Sequence, residues 1–248
     1  MLRDVSVEQR AYIDAWLQDL VLESDDVGQF LTELATFTIE SFSPSGSTVH
    51  CGVTLLRGRK ATTAASSDAK ALAVDEAQNS FGEGPCLAAM EVLRPVLVRD
   101  TATEQRWPRY MRAVRREGIG AILAVPLMVD GDTRAALNLY TEAADGFSSQ
   151  DVERAEMFAA HSAKALRLAL KIAGLTEARN DLVAAMRSRT VIDIAIGVIM
   201  AQNRCSQESA HSILIAASNN RNVKMRDLAA TVVDSVAPET EVVTHFQE

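Results

Sequence analysis

Cysteine is scarce in this chain. Only Cys51, Cys86 and Cys205 occur in 248 residues, and three thiols, odd in number and far apart, exclude a disulfide framework and point to a reducing compartment. Histidine is as rare. His50 and Cys51 are neighbours whose side chains point to opposite faces of a strand, while His161, His211 and His245 lie far away, so no zinc or iron–sulfur spacing exists. No uncharged apolar run approaches the ~18 residues of a membrane span, and Asp4, Glu8, Asp14 and Asp19 interrupt any leader-like segment. A phosphate-cradling glycine loop of the Walker type is missing too. These absences predict a cytoplasmic protein with no membrane association and no metal centre.

What the chain does have is apolar substance. Hydrophobic residues make up 48% of it, ample for a packed core, and its length accommodates one globular domain plus a smaller one. The net charge of −8 argues against wholesale attraction to nucleic acid or anionic membrane. That charge is uneven: residues 175–236 carry seven basic side chains against six acidic, whereas residues 1–174 carry 18 against 24.

Taken in order, Ser6 and Gln9 frame a capping box before a helix whose stripe is Ile13, Trp16, Leu17, Leu20 and Val21. Ser24, Asp25 and Asp26 recap a second helix with Phe30, Leu31, Leu34, Phe37 and Ile39 inward. Residues 47–65 read as a hairpin turning at 57–60, and residues 68–78 are helical in composition. Pro85 takes the first position of another helix after Gly82 and Gly84, with Cys86 next to it. A short strand at 95–98, a basic helix at 107–116 and a hairpin over 119–140 turning at 129–132 complete an α+β domain.

From residue 148 a helix keeps going. Val152, Ala155, Ala159, Ser162, Leu166, Ala169 and Ala173 form a small-residue seam, which either lies on the domain's own sheet or joins two copies of the chain. The last module reads as three helices, 177–203, 206–218 and 224–236, with Ser206 and Asn222 as caps. They bury Val191, Ile192, Ala195, Ile199 and Met200, then Ala210, Ile213, Leu214 and Ala217, then Met225, Leu228, Ala229, Val232 and Val233. Gly197 costs roughly 1 kcal/mol relative to Ala in mid-helix, which predicts another backbone pressed against it.

Met186, Arg189, Ile192, Ala195, Gly197, Met200 and Ala201, then Ser206, Ser209, Ala210 and Leu214, then Asn222, Lys224, Asp227, Leu228 and Ala229 resemble an ANTAR domain. Upstream, the run from Gly82 through Glu83, Gly84 and Pro85 to Cys86, with Asp100, Trp107, Pro108 and the Leu137, Asn138, Leu139, Tyr140 run, resembles the GAF domain that actinobacterial regulators pair with ANTAR. The resemblance implies an α+β fold: a GAF-like antiparallel sheet with flanking helices, a long connecting helix, and a C-terminal all-α three-helix ANTAR bundle. It implies a GAF-like sensory domain over 1–172, an ANTAR domain over 173–237 and an acidic tail over 238–248. Such a protein acts as a homodimer that binds paired RNA stem-loops and prevents a terminator from forming. Three departures imply fewer phosphate contacts: Ile196 stands where a basic residue is common, His211 where an aromatic is, and Ile215 and Ala216 where an arginine pair is.

The side chains suited to RNA phosphates and splayed bases are Arg187, Arg189, Arg204, Arg221, Lys224 and Arg226. A duplex-DNA reader needs bases and amides along one face of a recognition helix, which the second helix of the module does not offer. In the first domain Glu83, Cys86, Asp100 and Trp107 are the candidate small-molecule ligand residues, and the sequence names no cofactor. Cys86 at a helix N-terminus feels the positive end of the dipole, which lowers a thiol pKa, whereas a buried free cysteine is structural. The expectation is a non-enzymatic, ligand-responsive transcription antitermination regulator. A protein-interaction or redox-sensing signalling protein without direct RNA binding is the alternative.

Overall fold

Alternation fixes the central sheet. In β1 (Val49–Arg57) and β5 (Thr133–Thr141) the odd positions Cys51, Val53, Leu55, Ala135, Leu137 and Leu139 are apolar and buried together, while the even positions Gly52, Thr54, Asn138 and Tyr140 face the other way. With β2 (Lys60–Ser66), β3 (Val96–Val98) and β4 (Ala121–Leu127) they form one five-stranded sheet of order β2-β1-β5-β4-β3, antiparallel throughout. The computed structural model describes residues 7–42, 48–58, 60–129 and 133–236, excluding side chains 7–9 and 57. The cap at Ser6, turn residues Arg59, Asp130, Gly131 and Asp132, and the tail 238–248 lie outside the described residues.

Helices cover both faces of the sheet. The odd face packs against α1 (Val7–Glu23), α2 (Val27–Phe42) and the start of α6 (Ser149–Asn203), with Trp16 stacked on Phe37 at 3.8 Å and Phe37 on Phe158. On the even face lie α3 (Ala69–Phe81), α4 (Pro85–Val92) and α5 (Pro108–Arg116), which bury Val74, Cys86, Met90, Tyr110, Met111 and Val114. Local chemistry sets the helix starts: Asp68 accepts the backbone N–H groups of Lys70 and Ala71, and Pro85 and Pro108 each open a helix, where a missing N–H costs nothing. The expected α+β fold is the observed one.

The chain divides into two compact units, Met1–Ala173 and Gly174–Glu248. In the second, residues 174–203 of α6 pack with α7 (Gln207–Arg221) and α8 (Met225–Asp234) around Ala195, Ile196, Ile199, Ala210, Leu214, Leu228, Ala229 and Val233. Ser206 caps α7 as expected, accepting the Ser209 N–H at 3.3 Å.

Several expectations are corrected. The seam residues Ala155, Ala159, Ser162 and Leu166 are buried within the first unit, where Ala155, Ala159 and Leu166 belong to the same core as α1, α2 and the odd face of the sheet, so the chain itself fills that part of the seam. Asn222 ends α7 in the left-handed region at φ 52° instead of starting α8, and the N-cap of α8 is Lys224. Ile213 is 45% exposed, and the buried polar Ser218 takes an inward place by donating its hydroxyl to the Val223 carbonyl at 2.7 Å. Gly197 is solvent-facing, with no atom of the described residues within 4 Å of an added Cβ, so no backbone presses on it. Ile196 is 5% exposed and belongs to the bundle core, so it is not an exposed position that a base could serve.

Candidate functional site: a buried polar cluster and a basic groove

The even face of the sheet carries an unusual concentration of buried polar groups. Asp75 and Gln78, three residues apart on the inward stripe of α3, and Asn138 on β5 are fully buried. Oδ1 of Asp75 accepts from the Asn138 amide at 2.8 Å and from the Tyr140 hydroxyl, while the same Asn138 amide nitrogen donates to Thr54 at 3.1 Å. Oε1 of Gln78 accepts the Cys86 backbone N–H at 3.1 Å, tying α3 to the start of α4. Gly52 is required where Asp75 crosses β1, since a Cβ there would lie 1.8 Å from Oδ2, and Gly84 is required against Gln78, at 2.3 Å from Oε1.

Burial dominates the electrostatics. It pushes Asp75 up to about 7, against the pull of its Tyr140 and Asn138 hydrogen bonds. Four buried polar atoms of this cluster, Asp75 Oδ2, Gln78 Nε2, Asn138 Oδ1 and Tyr110 Oη, have no hydrogen-bond partner among the described residues. A buried polar atom left unpaired costs about 1–3 kcal/mol, and the Cys86 thiol lies within reach of the Asn138 and Gln78 side chains, as Tyr140 does of Tyr110.

Of the ligand residues expected from sequence, Cys86 sits in this cluster. Its thiol is 1% exposed and pushed up to about 12, first by burial and then by the nearby Asp75 carboxylate. Desolvation thus outweighs the helix dipole, which fits the structural reading of a buried free cysteine. Cys51 is likewise raised by burial. Trp107 is half-buried beside the Tyr110 and Tyr140 core, with the Arg106 guanidinium 4.5 Å from its ring. The Asp100 carboxylate is used in a turn, accepting the Ala102 N–H at 2.8 Å, and Glu83 is half-buried in the loop after α3. Asp75 and Asn138 were missed. Their signal was polar residues on otherwise inward stripes: Asp75 among Ala71, Val74 and Gln78, and Asn138 between Ala136 and Tyr140 on the even face of β5. Among the described residues no group of three or more His, Cys, Asp or Glu side chains converges as a metal site, and no helix is long and apolar enough to cross a membrane.

In the second unit two grooves flank α6. One, of about 490 Å³, lies between α6 and α8, with Arg187 and Arg226 on its walls and Val183, Ala184, Val191 and Ala230 lining it. The other, of about 690 Å³, holds Arg189, but with Asp193 and Glu208 and with His211. Arg189 also stands 3.9 Å from Asp193, and Arg226 pairs with Asp227 at 3.3 Å. Arg204, Arg221 and Lys224 are exposed at the helix ends. The fold therefore brings Arg187 and Arg226 together on one groove, which Asp227 also lines, and sets Arg189 beside Asp193 and Glu208 on the other.

The sequence matches the GAF domain over residues 28–167, more than half of the chain, and the ANTAR domain over residues 180–233. No curated protein matches. Among solved structures, free methionine-R-sulfoxide reductase from Neisseria meningitidis in complex with its substrate is similar at 18% identity, covering 66% of this chain and 92% of that one with a TM-score of 0.51. The GAF domain of a phosphoenolpyruvate-protein phosphotransferase from Coxiella burnetii is similar at 16% identity, covering 68% and 96%, with a TM-score of 0.49. At such identities the likeness speaks to the fold, whereas GAF and ANTAR are themselves regulatory domains. The chain belongs to the GAF domain family and carries an ANTAR domain after its GAF domain.

Proposed function

We propose that this protein is a cytoplasmic, ligand-responsive regulator of transcription antitermination that binds paired RNA stem-loops through residues 173–237 under control of a sensory domain spanning 1–172. The observation that carries the reading is the groove where Arg187 and Arg226 meet across two helices above an apolar floor. Guanidinium planes can pair with phosphates and stack on splayed bases, and the floor suits an unstacked base. Arg204, Arg221 and Lys224 supply the outer field. Acids offset part of the charge in both grooves, Asp227 beside Arg226 and Asp193 and Glu208 beside Arg189.

The functional unit is a homodimer, which matches two stem-loops to two bundles. Signal passes along α6, whose residues belong to both units. A fluorescence-anisotropy titration over a range of salt tests the reading. Affinity for a twin stem-loop should exceed that for random RNA and fall steeply with salt. Arg187→Glu with Arg226→Glu should weaken it by roughly a hundredfold, at about 1–3 kcal/mol per contact, with an unchanged circular dichroism spectrum. Salt-independent or unselective binding would instead favour a protein-interaction module.

A further inference from the structure

Residues 105–116 hold five basic side chains, Arg106, Arg109, Arg112, Arg115 and Arg116, and no acidic one, although acids outnumber bases over residues 1–174. All five are arginine, and all are exposed. Arg106 pairs with Glu104 at 2.6 Å, and its guanidinium lies over the Trp107 ring. Arg115 donates to the Thr101 carbonyl at 2.6 Å, which fixes its place without neutralising it, and Arg109 lies 4.8 Å over the Phe81 ring. Among the described residues no carboxylate comes within ion-pair distance of Arg109, Arg112, Arg115 or Arg116.

Arg109, Arg112 and Arg116 follow one another at three and four residues along α5, so they share its outer face, while Tyr110, Met111 and Val114 turn inward. Like charges at those spacings destabilise a helix by about 0.2–0.5 kcal/mol per pair. The helix dipole offsets this for Arg115 and Arg116 in the last turn and aggravates it for Arg109, which stands at the positive end. An anion lying along the row removes the repulsion.

The surroundings of the row select the kind of anion. Among the described residues none of the large exposed apolar side chains lies within 105–117, and the neighbouring rings of Trp107 and Phe81 are half-buried under Arg106 and Arg109. The face thus lacks the apolar anchor that dominates protein interfaces. The apolar stripe of α5, which a membrane-surface helix would insert, is spent on the domain core. A chain of phosphates needs neither feature, only planar guanidinium forks in a row.

We propose that the Arg109, Arg112 and Arg116 face of α5 is a second RNA contact of this protein, one that takes the phosphate backbone of unpaired nucleotides adjoining the stem-loops. The inference rests on reading the second unit as the stem-loop binder, which leaves the strand beside the hairpins for α5. Three side chains on one exposed face read charge and no base edge, so the contact is independent of sequence.

The probes are a twin stem-loop trimmed to its two hairpins and the same RNA carrying an unpaired oligouridine extension with a photoreactive thiouridine. The full chain should bind the extended RNA more tightly, and its log affinity should fall more steeply with log salt by about 2, at roughly 0.7 per phosphate contact on a single strand. Cross-links from the extension should fall within residues 106–116. Arg109→Gln with Arg112→Gln and Arg116→Gln, at exposed sites where glutamine keeps helix propensity, should bind the trimmed RNA as the unaltered protein does and lose the gain from the extension. An extension that adds nothing, a gain that survives in the triple variant, or cross-links confined to other residues overturns the proposal. A polyglutamate peptide that displaces the extension as well as free oligouridine does overturns it in favour of an acidic protein partner. The two readings fail separately: selective binding of the trimmed RNA with no gain from the extension sinks the α5 contact alone, whereas an α5-dependent gain without stem-loop selectivity sinks the bundle reading alone.

Discussion

Gly52 and Gly197 are both glycines inside regular elements, yet their surroundings differ completely. A methyl group at Gly52 would lie 1.8 Å from Asp75 Oδ2, and Asp75 is held by Asn138 and Tyr140, so neither side can yield cheaply. Gly52→Ala should therefore destabilise the protein by about 1–3 kcal/mol, as overpacking does. Gly197 meets open space on a helix, so Gly197→Ala should stabilise by about 0.5–1 kcal/mol. Urea unfolding of the two variants should give midpoint shifts of opposite sign, and shifts of one sign would contradict these surroundings. Asp75 adds a pH signature. Its folded value of about 7 lies above the ordinary 3.8, so between those values the folded state keeps a proton that the unfolded state releases. Stability must then fall as pH rises from about 4 to 7, in the limit by on the order of 4 kcal/mol. Relative to Asp75→Asn, the unaltered protein should lose stability across that window, with Cys51, Cys86, Tyr110 and Tyr140 the ionisable neighbours, all above it. Parallel pH curves would refute the assignment. The six bases of the ANTAR unit could be read from charge alone, but the pairing of Arg187 with Arg226 could not. It depends on where α8 crosses α6, 39 residues away in the chain.

At the level of elements, α7 is defined by its two ends more than by its faces. Ser206 satisfies a first-turn N–H, and Asn222 reverses the chain in the left-handed region, where its own N–H bonds the Asn219 carbonyl at 3.2 Å. Ser206→Ala should cost about 1 kcal/mol, and Asn222→Ala a similar amount, because alanine keeps the Cβ but lacks the short polar side chain that makes the left-handed region tolerable for asparagine. Asn222→Gly should cost little or nothing. Hydrogen exchange of the α7 amides reads these differences locally, and equal protection in Asn222→Ala and Asn222→Gly would contradict the strained geometry. These ends also explain what was legible. Elements marked by strict alternation, such as β1 and β5, or by a breaker at a fixed position, such as Pro85 and Pro108, could be placed from residues alone. The seam in α6 could not be assigned a partner that way, because a stripe of Ala and Ser fits a neighbouring helix of the same chain as well as a second copy. Periodicity places Ile213 inward because it weighs apolar side chains only, whereas Ser218 takes an inward place through one hydrogen bond.

At the scale of the molecule, the seam's burial removes one route to a dimer and leaves another. Further along α6, Leu168, Ile172, Leu175 and Leu182 are 49%, 44%, 72% and 61% exposed, and their steps of four, three and seven residues set them on one helix face. Arg179 interrupts that stripe at the position between Leu175 and Leu182, and a single polar residue at such a place fixes register at some cost in stability. Residues 171–180 are exposed throughout, and a helix stretch with no packed face is marginal in water without a partner. A second copy would supply a face of the same composition, and each leucine buried there would add about 1.5–3 kcal/mol. Leu175→Asp with Leu182→Asp places four carboxylates in such an interface and should yield a monomer by analytical ultracentrifugation. The bundle core around Ala195, Leu214 and Leu228 is untouched by these changes, so the helix content of residues 190–234 should persist. If two stem-loops are read by two copies, the monomeric variant should bind a twin stem-loop no more tightly than a single one, because the gain from linking two sites disappears. A variant that sediments as the unaltered protein does places the interface elsewhere, whereas a monomer that still prefers the twin stem-loop means that one bundle reads both.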